Sequence, residues 1–165
     1  MTTYYNEIEP YAAEWLRRLA ADGRISSGHV DDRSIEHVTA QDLAGYRRAH
    51  FFAGIAGWEH ALDLAGVPAD LPVWTGSCPC QPFSTAGKRK GTADKRHLWP
   101  VWVKLIEQCR PPVIFGEQVA SPLGRKWLDA VRADLEALGY AVAATDLCAA
   151  GAGAPHLRQR LWFGA

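Results

Sequence analysis

One short stretch of the sequence carries residues suited to covalent chemistry. Residues 76–84 read G-S-C-P-C-Q-P-F-S and follow an apolar run at 71–74. A thiol between two prolines therefore stands where a strand should end, and the ends of parallel strands are where α/β proteins form their sites. This placement indicates that Cys80 is a nucleophile. The polar Gln81 and Ser84, with glycines further on, predict a loop that closes over a substrate.

The spacing of Cys78 and Cys80 has other interpretations. A C-x-C pair can be half of a metal site, but no second closely spaced pair of cysteines or histidines completes four ligands. A disulfide between residues two apart is strained. A metal-binding interaction module that uses both cysteines with His97 and His156 stays open as an alternative from a different class of function.

Acidic and glycine residues at three further strand ends point to a nucleoside ligand. Glu7 follows a short β-prone start and precedes a helix that Pro10 opens. A carboxylate in this position accepts hydrogen bonds from ribose hydroxyls, and Asp32, after a second strand, is placed to accept one from an adenine amino group. Gly54 and Gly57 follow a third strand and let the backbone approach a ligand without a Cβ in the way. Taken alone, the two acids also fit helix or turn caps.

A second group of polar residues falls later in the chain. Glu117 follows a predicted strand at 113–115, where a carboxylate beside the thiol loop suits a desolvated acid or hydrogen-bond partner. Arg158 and Arg160 stand two residues apart near the start of the last predicted strand, so both point to one face. Arginines in such a place are otherwise usually surface charges. The basic run 88–90 fits either phosphate contacts or a solvated loop.

These residues need a framework of alternating strands and helices. Apolar periodicity and helix-start signals predict a helix that Pro10 opens, a helix after the glycine turn with apolar spacing from Trp58 to Ala65, others over 35–43, 94–109 and 127–138, and strands between them, including 140–147.

Bulk composition narrows the function. The 165 residues fit one domain, and 48% hydrophobic with 22% charged residues is ordinary for an enzyme in water. No apolar run approaches the ~18 residues of a membrane span, and the first residues do not resemble a signal peptide. Four cysteines do not make a disulfide scaffold, which predicts the reducing cytoplasm. Eighteen basic and eighteen acidic side chains cancel, which argues against binding a polyanion over the whole surface.

In combination, the motifs resemble those of DNA cytosine-5 methyltransferases. P-C-Q-P-F-S is similar to the P-C-Q-x-F-S catalytic motif, F-A-G-I-A-G to F-x-G-x-G, G-E-Q-V to E-N-V, and H-L-R-Q-R to Q-x-R-x-R. Ala56, Gln118 and His156 depart from the family's residues. The resemblance implies an α/β fold of the Rossmann-like, S-adenosylmethionine-dependent methyltransferase type, with a mostly parallel sheet and helices on both faces.

The resemblance also implies a mechanism. Cys80 adds to carbon 6 of a cytosine that has been flipped out of DNA, so that carbon 5 takes the methyl group of S-adenosylmethionine. Glu117 contacts ring nitrogen 3, and Arg160 with Arg158 holds the carbonyl oxygen of the base. The loop 84–95 is the expected lid over the DNA, and its substrate-facing residues are Gln81, Ser84, Lys88, Arg89 and Lys90.

The cofactor site implied by the resemblance covers strand ends from both halves of the chain. Its residues are Glu7, Ile8, Asp32, Arg33, Phe52, Gly54, Ile55, Gly57, Trp58, Pro79 and Leu98.

Two departures from the family add predictions. The segments of Glu7 and Asp32 precede the glycine turn, whereas the family has the turn first. This predicts a permuted strand order, with the first strand pair beyond the glycine-turn strand. The helix after the turn must then either change face or form a left-handed crossover, which is rare.

The second departure is length, because the chain stops at Ala165 on the last catalytic strand. We expect residues 1–165 to be one catalytic domain of a phage-like or restriction-modification enzyme without a target-recognition region. Recognition would come from a partner chain or a longer form. A catalytic subunit of a split enzyme and an RNA substrate remain alternatives.

Overall fold

The computed structural model describes residues 3–79 and 98–165. In chain order the elements are β1 (Thr3–Asn6), α1 (Pro10–Ala21), β2 (Gly28–Asp31), a 3-10 turn (Ile35–His37), β3 (Arg48–Phe51), α2 (Gly57–Leu64), β4 (Val73–Gly76), α3 (Trp99–Cys109), β5 (Ile114–Val119), α4 (Pro122–Ala137), β6 (Ala143–Cys148), a second 3-10 turn (Ala149–Ala152) and β7 (Gln159–Gly164). No helix in these ranges is both long enough and apolar enough to cross a membrane.

The segment predicted as a helix over 35–43 is the clearest local error. Only the single turn Ile35–His37 is helical there. The Asp42 carboxylate accepts hydrogen bonds from both the backbone N–H and the hydroxyl of Thr39. These side-chain bonds give the backbone an alternative to a continuing helix.

The seven strands form one sheet in the order β2-β1-β3-β4-β5-β7-β6. The first five strands in this order are parallel, and β7 runs antiparallel to both of its neighbours. The prediction of a mostly parallel sheet is confirmed. The permuted order is confirmed as well, because β1 and β2 lie beyond β3, the strand that feeds the glycine turn.

Helices cover both faces of the sheet. On the first face, α1 packs through Ala13 and Leu16 around Tyr5, and Glu59 of α2 contacts His50 of β3. On the second face, α3 and α4 join a core rich in aromatic side chains, whose members include Phe51, Trp74, Trp99, Trp102, Trp127 and Phe163. The two helices that follow β1 and β3 therefore share one face.

The faces that the helices cover determine the hand of each crossover between parallel strands. The connections β1-α1-β2 and β3-α2-β4 lie on the same face but step in opposite directions along the sheet, so they have opposite hands. The connection β4-α3-β5 steps in the same direction as β3-α2-β4 on the opposite face, so it shares the hand of β1-α1-β2. Because parallel crossovers are right-handed in nearly all proteins, β3-α2-β4 is the left-handed exception. Of the two predicted possibilities, α2 therefore forms the left-handed crossover and does not change to the other face of the sheet.

Close packing fixes the strands that lead to the site. A Cβ on Gly76, the last residue of β4, would lie 2.5 Å from the Trp102 ring, and one on Gly116 would lie 2.1 Å from Phe163. Because neither glycine has a Cβ, an aromatic ring packs directly against the backbone of the sheet at each position. At the other edge, Ala165 exchanges two backbone hydrogen bonds with Ile114 at the start of β5.

Candidate active site

The carboxyl ends of β1, β3, β4 and β5 meet at one edge of the sheet. This edge brings together Glu7, the turn 52–56 after β3, and the segment 77–79 that leads to Cys80. Cys80 itself lies outside the described residues. So do the other predicted loop residues, which are Gln81, Ser84, Lys88, Arg89 and Lys90.

The glycine turn has an unusual backbone. Phe52, Gly54 and Ala56 have φ angles of 53°, 55° and 66°, in the left-handed region that glycine tolerates best. The Glu7 carboxylate accepts a hydrogen bond of 2.7 Å from the Gly54 N–H, and Ala53 donates one of 3.0 Å to the carbonyl of Asn6. The half-buried Glu7 is thus held against the turn.

Asp31, the last residue of β2, and Asp32, which follows it, have different surroundings. Asp31, which the sequence analysis did not single out, is buried and accepts hydrogen bonds from Tyr4 and Arg33. Burial alone would raise its pKa, but these hydrogen bonds outweigh burial and lower the pKa to about 2. Asp32 is exposed and pairs with Arg17 of α1 at 2.7 Å.

Arg33 is held on the second face of the sheet. Its guanidinium bridges Asp31 at 2.6 Å and Asp42 at 3.1 Å. In the described structure it therefore fastens the segment after β2 rather than projecting over the edge. The sequence could have indicated that Asp31 is buried, because alternation along a strand turns only one of two neighbouring side chains, here Asp31 and Asp32, inward.

Glu117 and Arg160 form an ion pair on the first face. The distance from Arg160 Nε to Glu117 Oε1 is 2.6 Å, and each side chain is 19% exposed. Sequence reasoning ended the strand at residue 115, but β5 continues to Val119 because β7 pairs with it up to Arg160. Glu117 therefore projects from inside a strand, which restricts its motion more than a loop would.

A cavity of about 250 Å³ surrounds this pair. Its lining consists of Gly57, Trp58, Ala61, Ser77, Glu117, Arg158, Arg160 and Trp162. Arg158 precedes β7 with a φ of 35°, which turns the chain into the strand. All three polar residues predicted for catalysis within the described ranges therefore meet in one place, beside the residues that lead to Cys80.

Tryptophans form the apolar wall of the cavity. Trp58, predicted for the cofactor site, donates a hydrogen bond of 3.0 Å to the Ser77 hydroxyl and stacks on Phe115. Trp162 meets Trp58 edge to face. Sequence reasoning missed Ser77 and Trp162, although Trp162 stands two residues after Arg160 in the same strand and so shares its face.

Gln118 anchors the segment that carries the thiol. Its buried side chain donates a hydrogen bond of 3.4 Å to the carbonyl of Cys78 and accepts one of 2.9 Å from the N–H of Val119. The residue that replaces the family's asparagine thus ties β5 to the chain two residues before Cys80. Burial raises the pKa of the Cys78 thiol, so in the described structure that sulfur is protonated at neutral pH.

A sequence model of the family described as C-5 cytosine-specific DNA methylase matches residues 65–165. The chain belongs to this family. The match begins after α2, so the segment with the rearranged order precedes it. The Type II methyltransferase M.NgoMIV of Neisseria gonorrhoeae is 36% identical over 160 residues, which cover 95% of this chain and 42% of the relative. M.HhaI of Haemophilus parahaemolyticus is 34% identical over 165 residues, covering 76% and 50%. The chain thus spans half or less of these relatives.

Solved structures agree on the fold. A putative DNA modification methyltransferase encoded within a prophage (E. coli) superposes with a TM-score of 0.60 and 14% identity, covering 98% of this chain and 39% of that one. A DNMT2 mutant of Spodoptera frugiperda superposes with a TM-score of 0.61 and 17% identity, covering 98% and 41%. The methyltransferase fold expected from the motifs is confirmed.

The remaining family positions present apolar surface at the edge of the sheet. Ile8, after β1, is 61% exposed, and Ile55, in the turn after β3, is 71% exposed. Phe52 is half-buried and meets Trp102 edge to face. Pro79 is exposed, and Leu98 is half-buried at the start of α3. Because β1 and β3 are neighbours, the exposed Ile8 and Ile55 follow adjacent strand ends, as Glu7 and the glycine turn do.

Proposed function

We propose that this chain is the catalytic domain of a DNA cytosine-5 methyltransferase, transferring a methyl group from S-adenosylmethionine to carbon 5 of cytosine through a covalent bond to Cys80. The observation that carries the proposal is the cavity that gathers Glu117, Arg158 and Arg160 next to the segment entering Cys80. At about 250 Å³ it has room for one planar base. Residues 1–165 would form a single catalytic domain.

Each of the proposed catalytic residues has its own role in the reaction. The Cys80 thiolate adds to carbon 6 of the ring, and the electron pair of the 5,6 double bond makes carbon 5 nucleophilic. Glu117 contacts ring nitrogen 3, while Arg160 and Arg158 donate to the carbonyl oxygen and stabilise the charge that develops there. After methylation, a water molecule takes the proton from carbon 5, which re-forms the double bond and expels the Cys80 thiolate. Arg160 also fixes the orientation of the Glu117 carboxylate before the base arrives.

The described residues fit an adenosyl cofactor at the neighbouring strand ends. The Glu7 carboxylate is half-buried and retains lone pairs for ribose hydroxyls besides its two backbone bonds. A Cβ built on Gly54 meets no atom within 4 Å, so the turn leaves open space in front of its backbone. Ile8 and Ile55 would cover the faces of the adenine ring. When bound, S-adenosylmethionine supplies an electrophilic methyl group on a sulfonium.

The residues proposed to contact DNA lie outside the described ranges. A base in a duplex must be flipped out to reach the cavity, at a cost of a few kcal/mol. Gln81 and Ser84 would contact the DNA around the flipped base, and the basic run 88–90 would lie near phosphates. Since the chain spans half or less of its relatives, target recognition would come from a partner chain or a further region. The reaction would take place in the cytoplasm, where bacterial or phage DNA is found.

Methyl transfer tests the proposal directly. The protein is incubated with S-adenosylmethionine labelled in the methyl group and with DNA, RNA or free nucleotide. We expect incorporation into DNA, none with Cys80→Ser, and much milder loss with Cys78→Ser. Equal loss in the two variants would favour the metal-binding alternative, and turnover by Cys80→Ser would remove Cys80 from the mechanism.

A trapping experiment needs no turnover. A duplex containing 5-fluorocytosine cannot lose the substituent from carbon 5 as a proton, so the enzyme should remain covalently attached in the presence of cofactor. A band of increased mass on a denaturing gel with the wild type, absent with Cys80→Ser, is the expected result. Labelling of RNA in preference to DNA would move the proposal to an RNA substrate.

A further inference from the structure

A buried cluster of polar side chains lies beneath the glycine turn. Arg48 and His50 of β3, Glu59 of α2 and Thr75 of β4 are each at most 2% exposed. His50 Nε2 lies 2.8 Å and Arg48 Nη1 lies 3.1 Å from the same oxygen, Glu59 Oε2. His50 Nδ1 lies 2.7 Å from the Thr75 hydroxyl. Burying two opposite charges beside an imidazole costs free energy unless they are paired at hydrogen-bonding distance. The positions of these side chains therefore depend on one another.

The cluster joins the two ends of the turn. His50 stands two residues before the turn 52–56, and Glu59 stands two residues after the first residue of α2. The bond between them therefore closes the chain across the whole turn, at its base. On its other side the imidazole contacts β4, which carries the chain to Cys80.

The turn needs such support because its own conformation is unfavourable. Phe52 and Ala56 both adopt positive φ angles without being glycine, a backbone conformation that the Cβ disfavours. Ala56 is also the N-cap residue of α2 and makes no side-chain capping bond. Glu7 and Asn6 hold the turn through hydrogen bonds to its backbone, Phe52 packs on Trp102, and the polar cluster joins the two ends of the turn from below.

We infer that His50 is a positioning residue, whose bond to Glu59 presets the glycine turn in the conformation that takes the adenosyl cofactor. This inference rests on the proposed function. It differs from a general role in stability, because it assigns the effect to one of the two bonds of the imidazole. The bond to Glu59 spans the turn, whereas the bond to Thr75 only steadies the ring.

Two amide substitutions separate those bonds. The amide nitrogen of glutamine can take the place of Nε2, so His50→Gln keeps the contact with Glu59 and gives up Thr75. The amide nitrogen of asparagine can take the place of Nδ1, so His50→Asn keeps Thr75 and gives up Glu59. Binding of S-adenosylhomocysteine is measured by calorimetry, with thermal unfolding of each variant recorded alongside. Val131→Ala, in the buried part of α4 on the opposite face, is the control for lost stability alone.

We expect His50→Asn to weaken S-adenosylhomocysteine binding about tenfold or more, while His50→Gln and Val131→Ala stay within threefold of the wild type. Hydrogen exchange at the amides of residues 53–57 should be faster in His50→Asn than in His50→Gln, a readout that needs no cofactor. Equal affinities and equal exchange in the two His50 variants would overturn the inference. A wild type that binds no S-adenosylhomocysteine would instead refute the cofactor half of the proposed function.

A second pair covers the case in which His50→Asn does not fold. Thr75→Val leaves Arg48, His50 and Glu59 in place and removes only the anchor of the ring. Because the bond to Glu59 is intact in both, Thr75→Val and Thr75→Ser should bind S-adenosylhomocysteine within threefold of the wild type. A tenfold loss in Thr75→Val that Thr75→Ser restores would place the effect in the bond to Thr75 and overturn the inference.

Discussion

Protonation of Glu59 should be a main route by which acid destabilises this protein. The side chain is fully buried, and burial alone would raise its pKa, but the hydrogen bond from His50 and the charge of Arg48 lower the pKa from an ordinary value of 4.5 to about 2. A carboxylate whose pKa is lowered by folding stabilises the protein above its unfolded pKa. That stabilisation is lost as the pH falls through the folded value.

The magnitude follows from the two pKa values. A lowering from 4.5 to about 2 corresponds to about 3 kcal/mol of stability at neutral pH, to be taken as an order of magnitude. By linkage, about 2 kcal/mol of this should be gone at pH 3, since the unfolded carboxylate is then almost fully protonated and the folded one is not. Glu59→Gln should be less stable than the wild type at pH 7 and should lose about 2 kcal/mol less on acidification to pH 3.

Urea unfolding followed by tryptophan fluorescence at pH 7, 5, 4 and 3 measures the difference. Asp31, whose pKa is also about 2, contributes to the pH dependence of both proteins and cancels from the comparison. Glu14→Gln, at an exposed ion pair with Arg18, is the matched control and should follow the wild type. If Glu59→Gln shows the same pH dependence as the wild type, the carboxylate is not held ionised by its buried partners and the reasoning fails. An excluded osmolyte such as sucrose keeps marginal variants folded during the titration.

Three further predictions concern the site and its surroundings. Glu7→Ala and Asp32→Ala should each weaken S-adenosylmethionine binding by ~1–3 kcal/mol, and unchanged affinity of both variants by calorimetry would defeat their assignment to the cofactor site. Gly76→Ala should destabilise the protein by ~1–3 kcal/mol because the new methyl group meets the buried Trp102 ring, and an unchanged melting temperature would contradict that packing. The 165-residue chain should bind duplex DNA weakly, with steep salt dependence and little base preference, so selective tight binding in titrations at two salt concentrations would reveal a reading element within it.

The predicted site residues within the described ranges follow local rules, which is why the sequence alone could propose them. Glu7 and the glycine turn each follow a strand, and parallel strands place all such positions at one edge. Arg158 and Arg160 both line the cavity, although Arg158 precedes β7 and so is not placed there by strand alternation. The permuted order was also visible, because the order of the motifs can be read directly from the chain.

What sequence reasoning could not supply depends on contacts between distant segments. Glu59 looks like one of several polar residues on an amphipathic helix, and only the meeting of β3 with α2 shows that it is buried against Arg48. The length of β5 is set by its pairing with β7, which no local pattern in 113–119 reveals. The hand of the β3-α2-β4 crossover required knowing which face α2 covers.

The positions of Thr3 and Ala165 suit the protein to attachment to a surface. Thr3 opens β1, and Ala165 lies beside Ile114 at the start of β5, so both ends emerge at the edge opposite Glu7, Glu117 and the glycine turn. Four strand spacings separate β1 from β7, which places the ends about 20 Å apart. A flexible tether at either end therefore leads away from the catalytic edge. Molecules anchored to a bead or an electrode through such a tether would keep that edge turned towards the solution.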